Sequence, residues 1–378
     1  MKLTNHILVA VATITFASCA KWTEPERKTF PEHQGPIERI TPEKPKVELP
    51  LIDIRTEDQL SDKQREYFAK VREERKKPHV RGFGWYGNWT GLGKDPMKQL
   101  KMLPDGVDFV SIWGTRPPLT KAQQEDLKFF QKVNGGKALL CWIVQDLGGP
   151  LTPVEYKGRE QEYWLNVKGG GDKVAAARAY ANALCDSIEK YNFDGFDIDY
   201  EPNYGHSGNL ANSSTISPDG NKAMYEFVKT MYDRLHPKGR MLVFDGEPDC
   251  LSTEASKMID FYIYQAYYES SPSDVLNKIR RSHLDKWQSK TIITVEFEKF
   301  WKNGGLPGYS TNDPAIQNMP GGHQLTDYGV LDLPNGNRIA GIGTYHMEYD
   351  KSNNLPYRWL RQALEYANKT KPGKFDNE

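Results

Sequence analysis

The chain has 378 residues, enough for one large domain or two medium ones, and its 50 Lys and Arg balance 50 Asp and Glu. That balance leaves no basic footprint for nucleic acid and points to an uncharged partner. Nine Trp and twenty Tyr supply flat rings of the kind a sugar cleft uses, although the same rings also fill cores.

At the N-terminus, Lys2, the apolar run Ile7 to Ala17 and the small residues of "FASC" have the layout of an export signal. The run is too short to span a bilayer as a stable helix. The pattern resembles a bacterial lipoprotein signal, which implies removal of residues 1–18, lipidation of Cys19 and attachment to the outer membrane. A plain secretory signal is the alternative. Residues 19–59 are rich in Pro and charge and are expected to form a flexible tether. "LSDKQREYFAKVREERKK", Leu60 to Lys77, has helical spacing with Ser61 as its cap, and one domain is expected over residues 60–372. Cys141, Cys185 and Cys250 share no metal or redox spacing and are read as free or structural thiols. No metal or cofactor is expected.

From His79 onward, short apolar runs alternate with helical ones. The predicted strands are "VRGFGWYG", "VDFVSIWG", "KALLCWIV", "FDGFDIDYE", "RMLVFDGE", "IDFYIYQAYY", "KTIITVEFE" and "AGIGTYHMEY". Helical stretches such as "DKVAAARAYANALCDSIEKY" and "NKAMYEFVKTMYDRLH" separate them. Eight alternations of this kind predict an α/β fold, a (β/α)8 TIM barrel, with an open doubly wound sheet as the alternative. No Gly-rich phosphate loop follows the first strand, which counts against a dinucleotide fold.

The fourth strand is the unusual one. In "NFDGFDIDYEP", Phe196, Ile198 and Tyr200 alternate with Asp197, Asp199 and Glu201, so one face is apolar and the other wholly acidic. Four acids at the positions of Asp194, Asp197, Asp199 and Glu201 would arise by chance in about one such chain in ten. Requiring the three apolar residues between them lowers that to roughly one in two hundred. A calcium loop also spaces its ligands alternately, but with Gly and polar spacers.

Barrel geometry gives the acids an order. Active sites lie at the C-terminal ends of the strands, so Glu201 reaches furthest into the mouth, Asp199 lies a layer below and Asp197 below that. Asp194 belongs near the strand's start as a structural carboxylate. Stacked carboxylates raise one another's pKa, so a shared proton is expected in the stack, the condition for a carboxylic acid that protonates a glycosidic oxygen.

"DGFDIDYE" resembles the Asp-x-x-Asp-x-Asp-x-Glu signature of glycoside hydrolase family 18, the chitinases and endo-β-N-acetylglucosaminidases, and the likeness is closest to a Bacteroides-type lipoprotein subgroup. The resemblance implies that Glu201 protonates the leaving oxygen and later activates water. It implies that Asp199 holds the N–H of the substrate's 2-acetamido group, with Asp197 orienting Asp199. The acetamido carbonyl then replaces a protein nucleophile, as in the substrate-assisted glycosidases. "QAYY" resembles the family's Met-x-Tyr motif, which puts Tyr267 on the acetamido oxygen and Gln265 in place of Met, a polar choice often seen in endo-acting members. Where chitinases carry a Trp at the end of the eighth strand, this chain has Tyr345 and His346, a departure that favours a differently shaped cleft.

Further sugar-binding candidates lie near strand ends: Trp85, Trp89, Trp113 and Trp142 for stacking, and Asn88, Gln145, Glu247, Glu296 and Glu348 for hydrogen bonding. The stretch "NYGHSGNLANSSTISPDGN" after Glu201 reads as a substrate-shaping loop. The resulting expectation is a lipid-anchored, monomeric endo-β-N-acetylglucosaminidase that cuts the di-N-acetylchitobiose core of N-linked glycans. A chitinase and a non-catalytic glycan-binding lipoprotein are the alternatives; relatives that lose activity typically lose the Glu, which is present here as Glu201.

Overall fold

The computed structural model of the protein describes residues 48–148, 151–352 and 355–370. All eight predicted strands form: β1 Arg81–Tyr86, β2 Val107–Ile112, β3 Lys137–Ile143, β4 Gly195–Tyr200, β5 Met241–Gly246, β6 Phe261–Gln265, β7 Thr291–Glu296 and β8 Gly341–Tyr345. They pair in chain order into a closed barrel, and every pairing, including β8 with β1, is parallel. The fold is therefore the expected (β/α)8 barrel.

The helices start where the sequence offers a capping side chain. Helix α1, Asp62–Glu74, begins with a reciprocal pair in which Ser61 Oγ accepts from Gln64 N and Gln64 Oε1 accepts from Ser61 N. Thr120 and Gln123 repeat the arrangement at α2, Lys121–Phe129. Asp172 caps α3, Lys173–Tyr191, and Asn221 caps α4, Lys222–Leu235. Asn192, at φ 59°, then stops α3 in the left-handed region and turns the chain into β4.

Period 2 along the strands separates two cores. Phe83, Trp85, Phe109, Leu139, Cys141, Val243, Ile263 and Ile292 fill the barrel interior. Phe196, Ile198 and Tyr200 of β4 face outward and pack with Ala177 and Leu184 of α3 and Phe227 and Val228 of α4. Each large apolar side chain buried in this way contributes roughly 1.5–3 kcal/mol. That outer packing fixes the register of β4, and a one-residue slip would exchange its apolar and acidic faces. The beginning of β4 is held tightly against β5: a Cβ on Gly195 (φ 155°) would lie 1.9 Å from the Met241 carbonyl oxygen, so only glycine fits.

The expected signal, residues 1–18, Cys19 and most of the tether lie outside the described residues. The tether's last part does not behave as one. Leu51–Asp53 and Glu57–Gln59 are 3₁₀ turns, and Ile54 is buried with Leu60, Phe68, Phe129 and Val133. The Lys101 ammonium group donates to the Ile54 carbonyl. Two apolar side chains, Leu51 and Ile54, suffice to dock this segment, and the Pro-rich, charged composition around them hid the fact. Among the described residues no helix is long and apolar enough to cross a membrane.

The final helix meets the approach to β1 at the closing seam. Asn368, in the final helix Arg358–Thr370, accepts from Val80 N (2.8 Å) and donates to Val80 O (3.2 Å), just ahead of β1.

Candidate active site

The acidic face of β4 points into the barrel. Asp197 is fully buried and its Oδ2 accepts from Ser111 Oγ of β2 at 2.5 Å. Asp199, one layer higher, is 7% exposed and lies directly across from Asp245 in the β4–β5 register. Glu201 follows the strand at the mouth, where its Oε1 accepts from Gln265 Nε2 at 2.6 Å. The same nitrogen donates to Asp245 Oδ1 at 3.1 Å, and His206 Nε2 lies 3.7 Å from Glu201 Oε2. Glu201 can come this close to β5 because residue 246 is glycine: at its φ of 81°, a Cβ would sit 2.5 Å from Tyr200 O and 2.9 Å from Glu201 Cγ.

Carboxyl oxygens of Asp199, Glu201 and Asp245 lie within 4.8 Å of one another. Among the described residues no Lys or Arg pairs with any member of this stack. Burial, followed by the charges of Glu201 and Asp197, holds the Asp199 carboxyl well above its ordinary range. Burial and the charges of Asp199, Asp197 and Glu201 do the same to Asp245. Asp197 is pushed up to about 6 by burial, against the pull of its bond from Ser111. Both shifts favour the protonated form, so the stack holds on to protons that isolated carboxylates would release.

Asp245 was not anticipated from the sequence. Its signal is present in "RMLVFDGE", where Met241, Val243 and Asp245 share the inward face of β5, but attention to the last acid of that segment selects Glu247 instead. The Glu247 carboxylate is occupied by the loop after Glu201, accepting from Asn203 N at 2.9 Å and Asn203 Nδ2 at 2.8 Å.

Above the stack stands an aromatic wall. Tyr267 stacks on Tyr345 with centroids 6.0 Å apart, and Tyr345 is edge-on to Trp85 at 6.1 Å and Trp113 at 6.3 Å. Burial, then the charges of Asp245, Asp199 and Glu201, keeps the Tyr267 hydroxyl protonated and available as a donor. Trp85 is buried in the barrel interior beneath Tyr345. Trp89 is a core residue whose Nε1 donates to buried Asp126 at 2.8 Å. Trp142 lies on the outer face of β3 against Phe196, with one edge bordering the cleft.

The remaining polar candidates divide into mouth and scaffold. Gln145 lines a cleft of about 440 Å³ together with Trp113, Arg116, Asp146 and His206. Asn88 is exposed in the left-handed region just after β1. Glu296 caps the short helix Phe297–Phe300 through Lys299 N, at 2.8 Å. Glu348 accepts from Gly87 N and binds His346 Nδ1 at 2.8 Å, while His346 is buried and stacked on Tyr349. Asp194 sits at the base of β4 and accepts from Ala138 N and Gln131 Nε2, both at 2.8 Å.

A closed eight-stranded barrel with this acidic fourth strand defines a glycoside hydrolase, and residues 47–366 match the model for glycoside hydrolase family 18, BT1044-like. The chain belongs to that family. It is 60% identical to a solved BT1044 structure, a selenomethionine form with one Glu changed to Gln; that likeness covers 87% of this chain and all of the other, with a TM-score of 0.83. The structure of an endo-β-N-acetylglucosaminidase from Cordyceps militaris shares the fold at 16% identity and a TM-score of 0.53, over 80% of this chain and 96% of that one. A chitinase from Enterococcus faecalis is 23% identical over 76% of this chain and 87% of its own length.

Proposed function

We propose that the protein is an endo-β-N-acetylglucosaminidase that cleaves the di-N-acetylchitobiose core of N-linked glycans by substrate-assisted retention. The observation that carries the mechanism is the setting of Asp199, the carboxyl next to Glu201: it is buried among Asp197, Asp245 and Glu201, where burial and the neighbouring charges disfavour its ionised form, so it is a poor nucleophile. A substrate that brings its own nucleophile, the oxygen of a 2-acetamido group, meets that condition. In this reading Glu201 protonates the leaving oxygen while Asp199 holds the acetamido N–H. The acetamido carbonyl attacks the anomeric carbon to form an oxazolinium ion, with Tyr267 donating to that oxygen. Glu201 then takes a proton from water, which opens the ring with net retention.

The N-glycan assignment draws on the mouth. Tyr345 takes the end of β8, His346 is buried against Glu348, and the polar loop from Asn203 to Asn221 is fixed to the rim through Glu247, Asp146 and Gln161. These surroundings suit a branched glycan better than a repeated, flat polymer. Intact N-glycans should be released from glycoproteins with one N-acetylglucosamine left on Asn, and chitin oligomers should be cut poorly. Mass spectrometry of products from a glycoprotein panel and from chitin oligosaccharides checks this; efficient chitin cleavage with no released glycan reverses the assignment.

The protein is further proposed to be anchored to the outer membrane through lipidated Cys19, on the basis of the N-terminal signal pattern. Cys19→Ala should move the protein from the membrane fraction to the soluble one in the native host. Unchanged fractionation would refute the anchor.

A further inference from the structure

Asp245 lies outside the signature strand, yet it stands among Asp197, Asp199 and Glu201. Fully buried, it faces Asp199 across the β4–β5 register, and carboxyl oxygens of Asp199 and Glu201 on one side and of Asp197 on the other lie within 4.8 Å of its own. A buried carboxyl is costly unless its hydrogen bonds are satisfied, so its place here calls for a function. Its Oδ1 accepts one N–H of Gln265 at 3.1 Å, and the other N–H of the same amide goes to Glu201 Oε1 at 2.6 Å.

An amide can lie either way round. With its oxygen turned inward, Gln265 would set an acceptor against the Glu201 carboxylate and would draw the Asp245 proton away from Asp197 and Asp199. Because Asp245 is fixed on the β5 backbone, it decides the orientation. We propose that Asp245 is a positioning residue: through the Gln265 amide it holds the Glu201 carboxyl in the pose from which the proton is delivered. The inference rests on Glu201 being the acid–base group and on no particular glycan.

The role requires an acceptor facing Gln265 and a donor facing Asp197 and Asp199, which is what a protonated carboxyl provides. An asparagine at 245 can supply the same pair, with Oδ1 toward Gln265 and Nδ2 toward the acids. Asp245→Ala should therefore lower kcat by about 10²-fold, the loss that follows when a reacting group is held imprecisely, with little change in KM. Asp245→Asn should recover most of that loss, to within about tenfold of the unaltered protein. Gln265→Met, which leaves the buried carboxyl in place, should lose as much as Asp245→Ala, and the double variant should lose no more than either alone.

Kinetics on whichever substrate the protein cleaves, glycoprotein or chitin oligosaccharide, test this. Wild-type kcat in Asp245→Ala or Gln265→Met, an asparagine variant as impaired as the alanine one, or an effect confined to KM each overturns the proposal. If the alanine variant does not fold, Asp245→Asn and Gln265→Met still decide it. Glu201→Gln, measured alongside, separates the two levels: full activity there removes the acid–base reading of the site, whereas a failure confined to the Asp245 series removes only the positioning role.

Discussion

Glu201→Gln should lower turnover by about 10²- to 10⁴-fold, the range that general acid–base catalysis supplies, while leaving the fold and substrate binding intact. The local geometry explains why the variant should fold normally. The side chain at 201 accepts from Gln265 Nε2 at 2.6 Å, and a glutamine there can still accept through its carbonyl oxygen, with its NH₂ turned toward the mouth. Lost activity then reflects the missing transferable proton. Steady-state kinetics on a glycopeptide carrying an intact N-glycan, with thermal melting as the control for folding, give the answer. Near-normal turnover in a folded variant would remove Glu201 from the chemistry.

Asp199 should matter most to the cyclised intermediate. A thiazoline analogue of the oxazolinium ion should inhibit the unaltered protein strongly, because a site complementary to the reacting state binds its mimics more tightly than substrate. Asp199→Ala should bind it about 10- to 100-fold more weakly, as expected for losing a hydrogen bond to a charged group worth roughly 1.5–3 kcal/mol. Asp199 lies between Glu201 above and Asp197 below, and both of their charges bear on its proton. As the acetamido group closes onto the anomeric carbon, its N–H becomes a stronger donor, and Asp199 gains most from accepting it. Inhibition constants equal in the two proteins would move Asp199 out of the reaction and into the scaffold.

The fold was legible because its signals are local and repeated. Eight apolar runs separated by helical spacing leave few topologies, and Ser61, Asp172 and Asn221 stand where helices start. The acidic stack was half legible. Asp197, Asp199 and Glu201 share one short strand, so period 2 places them on one face; Asp245 comes from the neighbouring strand and meets them only through the β4–β5 register. No spacing along the chain encodes that register. The same limit explains Glu247 and Glu296, which end their strands as an inward-pointing acid should but are taken by Asn203 and by a helix cap. It also explains the tether. Ile54 is a single apolar residue in a charged stretch, and its burial depends on Phe68 and Phe129, which come from two different helices.

The clasp between Asn368 and Val80 bears on how the molecule is made. Strand β1 is translated first but gains its second neighbour only with β8, and the backbone just before it is fixed by the last helix. During synthesis the growing sheet therefore carries two open edges until β8 is available, and open edges invite association between chains. A chain stopped before Gly341 would be an unclosed sheet with an exposed interior, not a smaller version of the protein. Closure of the barrel waits on β8, so a product of this gene ended ahead of Gly341 presents itself to cellular proteases with its sheet edges open.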